Sequence, residues 1–301
     1  MIRVRLSLPS DFSFDGVVRS HGWYDLPPFS YQREEGVLRT SFECGSLTPS
    51  LSRKERKKGA ASLAFRVGGG RLEAESNCLD KVSLLSIARR VFALDVDLDR
   101  FARSVAGDPV LARALASGRG RILRAPSLFE DAVKMLLTTN CSWAATKGMV
   151  ARLIAEAGAG GRAFPTPEAV AALSVSKLKT KIRCGYRAES LARFARRVAR
   201  GKLDLSAWER TDASANETRA AILAEHGFGP YAAEGLLRIL GRHEYLALDS
   251  WVRQEYRRRY PGSRRTTDRA IARRYARYGV HRGLALWLDM TSHWHETAEK
   301  E

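Results

Sequence analysis

The hydrophobic period of this chain changes once, near residue 80, and that change constrains the fold more than any other feature. Before it, apolar residues alternate with polar ones in Ile2-Arg3-Val4-Arg5-Leu6, in Gly36 to Phe42, in Ala61 to Val67 and in Arg71 to Ala74. The last two runs are separated by Gly68-Gly69-Gly70, which reads as strand–turn–strand. From about Val82 onward the apolar residues recur with helical spacing. Strands therefore come first and helices follow. The expected class is α+β: an N-terminal antiparallel sheet domain over residues 1–80, then an all-helical domain over 81–301. A chain of 301 residues is long enough for both.

The helical part carries its own punctuation. Ser127 and Glu130 form an S-x-x-E capping box after Pro126, opening a helix with Leu128, Val133, Leu136 and Leu137. Thr166 followed by Pro167 and Glu168 is a second helix start. Gly158 to Gly161 marks a loop, and Gly185 separates Lys177–Arg183 from a helix over Arg187 to Arg200. Further helices are expected over Ser214–Glu225, Tyr231–Leu240 and Ser250–Tyr260, with two more segments between Thr267 and Ser292.

Charge narrows the partners. Lys and Arg number 51 against 33 Asp and Glu, a formal +18, which suits a polyanion: nucleic acid or an anionic membrane surface. An Arg-rich base composition gives the same number without a partner. The segment Leu51 to Gly59, with Arg53, Lys54, Arg56, Lys57 and Lys58, reads as a solvated hairpin tip or as a phosphate-contacting loop. No apolar run reaches the roughly 18 to 20 residues of a membrane span, and Met1 to Asp11 has no continuous apolar stretch of a secretory signal. A cytoplasmic protein is expected. Cys44, Cys78, Cys141 and Cys184 form no C-x-x-C, so free thiols are the default reading and no metal or iron–sulfur cluster is expected. His293 and His295 flank Trp294 without an acidic or thiol partner nearby, and no metal is assigned to them.

Two features carry chemistry. Gly227-Phe228-Gly229 lies between two helices, and Pro230 opens the second. Unsatisfied N–H groups and the helix dipole at such a turn suit a phosphate, although an ordinary tight connection has the same sequence. Asp249 follows Leu246-Ala247-Leu248 and precedes a helix. Aspartate in that position is a preferred N-cap.

The order helix, G-h-G hairpin, helix, then an aspartate about twenty residues on resembles the helix–hairpin–helix (HhH-GPD) DNA glycosylase superfamily, in particular its 3-methyladenine glycosylase II and 8-oxoguanine glycosylase branch. Cys184-Gly185-Tyr186-Arg187-Ala188 resembles the G-Y-R-A motif of the purine glycosylases. Leu137-Thr138-Thr139-Asn140-Cys141-Ser142-Trp143 resembles the helix and loop that reach into the DNA stack. Phe164-Pro165-Thr166-Pro167-Glu168 matches the branch. Val17 to Gly22 resembles its N-terminal segment, with the usual Gly-Gln replaced.

The resemblance implies a TBP-like N-terminal sheet and an active-site cleft in the helical body. It implies duplex DNA with a damaged base as partner, no redox cofactor, no membrane and a monomer. Asp249 matches the catalytic aspartate, whose carboxylate stabilises the cationic sugar as the glycosidic bond breaks and orients the attacking water. Bifunctional members place a nucleophilic lysine where this chain has Tyr231, and no lysine stands between Lys202 and Lys300. A monofunctional enzyme that leaves an abasic site is therefore expected. The Tyr231 ring either lines the base pocket or packs in the core. Asn140, with Thr139 beside it, aligns with the residue that fills the vacated stack, and Trp143 is either a core residue or an aromatic wall for the flipped base. Trp23, Tyr24 and Phe29 are further candidates for the pocket. Gly227, Phe228, Gly229, Arg187 and Arg253 are the expected phosphate contacts, with a monovalent ion at the hairpin an open possibility and Glu225 an acid close to that site. The basic run from Lys177 to Arg187 and the arginines from Arg253 to Arg277 supply a pool of further contacts, of which at most about a third face DNA. An alkylated purine such as 3-methyladenine is the leading substrate, 8-oxoguanine the second. A non-catalytic binder of damaged or structured DNA on the same fold is the rival from another class.

Overall fold

A computed structural model describes residues 1–47, 59–210, 212–262 and 267–296. The basic segment at 51–58, together with Arg264 and Arg265, lies outside the described residues. Five strands form one antiparallel sheet in the order β1-β5-β4-β3-β2: β1 (Ile2–Ser7), β2 (Ser30–Gln32), β3 (Val37–Glu43), β4 (Ala60–Gly68) and β5 (Arg71–Ser76). The alternation seen in the sequence sets the register. Val4, Leu6, Leu38, Leu63, Phe65, Leu72 and Ala74 all point to the buried face, since side chains two apart share a side of the sheet.

One feature of this N-terminal region escapes a period-two reading. Between β1 and β2 the chain forms the short helix α1 (Phe14–Val18) and a 3-10 turn at Gly22–Asp25. Both are packed into the core rather than added to the sheet, with Val17, Val18, Trp23 and Leu26 buried.

Helices follow from Asp80, which caps α2 (Lys81–Val91) by accepting from Ser83 N at 2.8 Å. After α3 (Asp99–Val105) and α4 (Pro109–Ala116) comes the central helix α5 (Leu128–Thr138), ten of whose eleven residues are buried. Ser127 caps it as expected, accepting from Glu130 N at 3.2 Å. Glu130 does not close the capping box; its carboxylate turns inward to Lys134 at 2.6 Å. Next are α6 (Trp143–Ala157), α7 (Pro167–Ala171), α8 (Val175–Thr180), α9 (Arg187–Ala199) and α10 (Ser206–Glu209). The body closes with α11 (Ala215–Leu223), α12 (Pro230–Ile239), α13 (Ser250–Arg259), α14 (Asp268–Tyr275), α15 (Arg282–Met290) and α16 (His293–Glu296). Ser214 and Glu217 make a complete capping box at α11. None of the described helices is long and apolar enough to cross a membrane.

Sheet and helices share one apolar core. Phe164 N donates to Ser41 O at 3.2 Å, so the Phe164-Pro165-Thr166 segment adds a parallel bridge to β3 before α7 begins.

The free-thiol expectation needs a correction. Cys44 and Cys78 are joined as a disulfide, with Cα atoms 5.9 Å apart. Their separation of 34 residues hides the proximity: both lie just past the same end of the sheet, where β3 and β5 flank β4. Cys141 and Cys184 are free.

Candidate active site

Four distant parts of the chain meet around a cavity of about 920 Å³. They are the 3-10 turn after α1, the α5–α6 turn, α12 with the start of α13, and the C-terminal helices α15 and α16. Five of the six tryptophans line it: Trp23, Trp143, Trp251, Trp287 and Trp294. The sixth, Trp208, lies elsewhere, in a core cluster with Phe194 and Phe228.

Asp249 sits at the mouth of α13 and has two roles in the structure. Its Oδ1 accepts from Val252 N at 2.7 Å, so it is the N-cap. It also lines the cavity, and Oδ2 accepts no hydrogen bond among the described residues. The backbone before it is forced: Ala247 has φ +51°, a left-handed conformation that costs a residue with a Cβ. Glu234 of α12 holds that kink by accepting from Ala247 N at 3.0 Å, and is itself paired with Arg219 of α11 at 2.8 Å. The helix–hairpin–helix unit thus fixes the aspartate's position mechanically.

Tyr231, in the first turn of α12, lines the same cavity. Burial and the negative charge of Asp249 push its phenol above the usual range, so it stays protonated. The half-buried ring both packs against the core and lines the cavity, so its two candidate positions coincide. Trp143 also lines the cavity. It is 38% exposed at the start of α6, and its Nε1 donates to Asp25 Oδ2 at 3.1 Å. Partial burial works against the ionised Asp25, but hydrogen bonds from Lys147 and Trp143 outweigh it and hold the carboxyl below its usual value. Gly22 lies directly against the Trp143 ring: a Cβ there would come within 2.6 Å of it.

The N-terminal wall is pinned from behind. Trp23 Nε1 donates to Asp131 at 2.8 Å, and Asp131 also accepts from Ala125 N and pairs with Arg90 at 2.6 Å. Ser20 O accepts from Trp287 Nε1 at 2.9 Å, and His21 Nε2 donates to Leu123 O at 2.7 Å. Tyr24 joins the lining, whereas Phe29 lies deeper, beneath the Lys134 ammonium at 4.8 Å.

Burial pushes the pKa of His21 down to about 3, against the pull of the Leu123 carbonyl and with the Arg238 and Lys134 charges adding to it. His243, buried and faced by His281, Arg238 and Arg124, is likewise lowered to about 3. Both are neutral when folded. Below 6.5 the unfolded chain takes up protons that the folded chain refuses, so their stabilising contribution is present above that pH and lost as pH falls. Urea unfolding at pH 5.0 should show a loss of about 2 kcal/mol per histidine relative to pH 7.5. The double variant His21→Gln, His243→Gln should flatten that slope. A wild-type-like slope in the double variant would remove the histidines from the explanation.

At the α5–α6 turn Asn140 is exposed, with φ +46°. Its Nδ2 donates to the Tyr186 hydroxyl at 3.1 Å. Thr139, half-buried beside it, bonds Leu136 O through Oγ1 at 2.8 Å. Arg187 corrects an expectation. It is 6% exposed; its Nε donates to Thr139 Oγ1 at 3.2 Å, and Nη2 donates to Thr139 O. It braces the Asn140 turn instead of reaching a phosphate. Tyr186, 63% exposed and stacked with the Arg187 guanidinium, is the G-Y-R-A residue that faces outward.

The hairpin divides its expected duties. Gly227 has φ +93°, and a Cβ there would collide with Ser190. Phe228 is not a surface residue: it is 3% exposed and packs on Phe194 and Trp208. Only its backbone is available at the turn. Gly229 is the N-cap of α12, with no capping side chain and open space around it. That helix end therefore keeps donors for an anion. Glu225 does not oppose one, because its carboxylate is buried and paired with Arg197 at 2.9 Å. Arg253 is committed to Asp268 through two hydrogen bonds. Arg258, Arg259 and Arg277 are similarly paired with Glu255, Asp289 and Asp108. Among the described residues, a groove of cations remains along α9 and just past its end: Arg193, Arg196, Arg200 and Lys202.

Sequence reasoning overlooked Arg238, Trp251, Trp287 and Trp294. The one signal that pointed to the three tryptophans was tryptophan itself, an amphipathic ring concentrated where a site has both apolar walls and polar demands; nothing in the sequence singled out Arg238.

Residues 133–279 match the family described as HhH-GPD superfamily base excision DNA repair protein. The structure of MBOgg1 in complex with a low-affinity DNA ligand is similar over 98% of this chain and 96% of that one, with TM-score 0.73 and 21% identity. The Archaeoglobus fulgidus 3-methyladenine DNA glycosylase is similar over 97% and 99%, with TM-score 0.72 and 19% identity. The Clostridium acetobutylicum 8-oxoguanine glycosylase/lyase, in complex with duplex DNA carrying cytosine opposite 8-oxoguanine, is similar over 96% and 93%, with TM-score 0.67 and 15% identity. No curated protein sequence matches the chain.

Proposed function

Over residues 133–279 this chain belongs to the HhH-GPD superfamily of base excision DNA repair proteins, and on that premise we propose that it is a monofunctional DNA glycosylase for a damaged purine. The observation that carries this is the joint placement of Asp249 and Tyr231 in one aromatic cavity. The carboxylate faces the space a flipped nucleotide would enter, and the position of a lysine nucleophile holds a protonated phenol. In this reading duplex DNA binds through backbone phosphates at the uncapped start of α12. Asn140, supported by Tyr186 and Arg187, enters the stack as the base leaves it. The bond from the sugar to the base breaks, Asp249 stabilises the cationic sugar, and water adds at the same carbon. The proton lost by the water goes to solvent when the departing base was cationic and to the base when it was neutral, and an abasic site remains.

Trp143, Tyr231 and Trp251 offer faces on which a purine stacks. Stacking favours an alkylated purine carrying positive charge, the substrate to which the Tyr231 argument leads. It also accepts an oxidised purine such as 8-oxoguanine. The test is single-turnover incubation with duplexes that each contain one lesion, read with and without hot alkali. Breaks only after alkali are expected. Breaks without alkali, or a borohydride-trapped covalent adduct, would overturn the monofunctional reading.

A further inference from the structure

Among the described residues, Arg238 is the one cation in the base cavity that no carboxylate pairs with. It lies on the last full turn of α12, is nine-tenths buried, and lines the cavity. Its guanidinium stacks on Trp287, 4.0 Å from the ring centroid. Among the described residues it makes no hydrogen bond, and Nη1 in particular is buried without a partner. Other buried arginines near the core have acceptors: Arg124 has Asp95 and Ile239 O, Arg187 has Thr139, and Arg119 has Thr291. An arginine cannot discharge itself by losing its proton. A buried donor left unmade is costly, and a guanidinium that lines the cavity with no acceptor of its own can take one that arrives with the ligand. Trp287 orients it, fixed in turn by its Nε1 bond to Ser20 O and by Trp251 and Trp294 packed edge and face around it.

His21 lines the same cavity with a complementary polarity. Its Nε2 must carry the proton donated to Leu123 O, which leaves Nδ1 as an acceptor on a neutral ring. The cavity thus offers a fixed donor and a neutral acceptor between stacking walls.

We infer that Arg238 is a specificity-determining residue that donates to a carbonyl oxygen on the flipped base, selecting neutral oxo-bearing lesions over cationic alkylated ones. The inference rests on the glycosylase reading above and, of the two purine classes named there, favours the neutral oxidised one over the alkylated one that stacking alone favours. A purine that presents a carbonyl gives the guanidinium its missing acceptor. A base with a fixed positive charge is repelled at close range in a water-poor site, even where it presents a carbonyl.

The experiment crosses two variables. Single-turnover release is measured from duplexes containing hypoxanthine or 8-oxoguanine (neutral, with a carbonyl), 1,N6-ethenoadenine (neutral, without one) and 7-methylguanine (cationic, with a carbonyl). The wild-type protein should release at least one carbonyl-bearing neutral base faster than the other two classes. Arg238→Met should lower that rate at least tenfold and narrow the gap to the others. Arg238→Gln, a neutral donor, should retain part of the carbonyl preference while rising on 7-methylguanine. Thermal unfolding of both variants guards against loss of fold, and Gln serves where Met fails to fold. Faster release of 7-methylguanine by the wild type, or an unchanged preference in a folded variant, overturns the inference. If the wild-type protein releases nothing, the glycosylase reading fails by itself. Equilibrium binding of the same four duplexes then decides on Arg238, whose replacement must still erase the preference for the carbonyl lesions.

Discussion

Asp249→Asn is expected to reduce single-turnover base release by about 10² to 10⁴-fold while leaving DNA affinity and folding stability nearly unchanged. The choice of asparagine matters because Asp249 has two duties. Its Oδ1 caps α13 through Val252 N at 2.7 Å, and Asn is about as good a cap as Asp. The cap therefore survives and only the negative charge is removed. Asp249→Ala would mix the two, adding about 1 kcal/mol of lost capping to the chemical defect. A cationic sugar in a cavity walled by tryptophans feels a nearby carboxylate with little screening, which is why the charge, and not merely the shape, should carry the effect. Binding to a lesion-bearing duplex separates the rival reading. A protein that only binds damaged or structured DNA would show no release before the change and the same affinity after it. An Asp249→Asn variant that still turns over like wild type would remove Asp249 from the chemistry.

The second large effect is on stability. Lys134 and Glu130 form an ion pair at 2.6 Å in the middle of α5, with side chains 0% and 3% exposed. Lys134 Nζ and Glu130 Oε1 find no hydrogen-bond partner outside the pair among the described residues. The Lys134 ammonium lies over Phe29 at 4.8 Å, with Trp23 and Phe164 further off. Burial pushes the Glu130 carboxyl up, and the lysine charge opposes that shift. Replacing the lysine alone, as in Lys134→Met, leaves the carboxylate in an apolar interior and should cost about 3 to 5 kcal/mol. Glu130→Leu combined with Lys134→Met should recover most of that loss, because a packed apolar pair of similar volume needs no desolvation. Urea midpoints of the single and double variants measure it. A double variant no more stable than the single one would mean that the pair contributes more than mutual neutralisation. Since Trp23 packs on this lysine and also hangs from the neighbouring Asp131, the single variant should also disturb the N-terminal wall of the cavity.

Much of the site was legible because its signals are local. Ser127, Thr166, Ser214 and Asp249 each act within one turn of the helix they start, and a cap is visible in three or four letters. The hairpin was visible for the same reason, since Gly227 answers to a backbone angle. Tyr231 and Asp249 were singled out through the resemblance to the glycosylase family, which the hairpin anchors. Arg187 was misread because charge in a sequence does not say where the side chain turns: it braces Thr139, whereas Arg253 lines the cavity and pairs with Asp268. Phe228 was grouped with the glycines beside it, although an aromatic between two glycines is as easily the buried anchor of a turn as its exposed tip.

The sequence by itself determined the class of fold, the order of the elements, the ends of most helices and the identity of the hairpin and its aspartate. These depend on backbone preferences and periodicity, which act over a few residues. Tertiary structure alone decided that Cys44 meets Cys78, that five tryptophans spread along the chain from Trp23 to Trp294 enclose one cavity, and that Arg238 stands in it with Nη1 unpartnered among the described residues. Those outcomes depend on which surfaces a close-packed core brings together and on which polar groups it leaves to be satisfied, and neither is written in any short stretch of the chain.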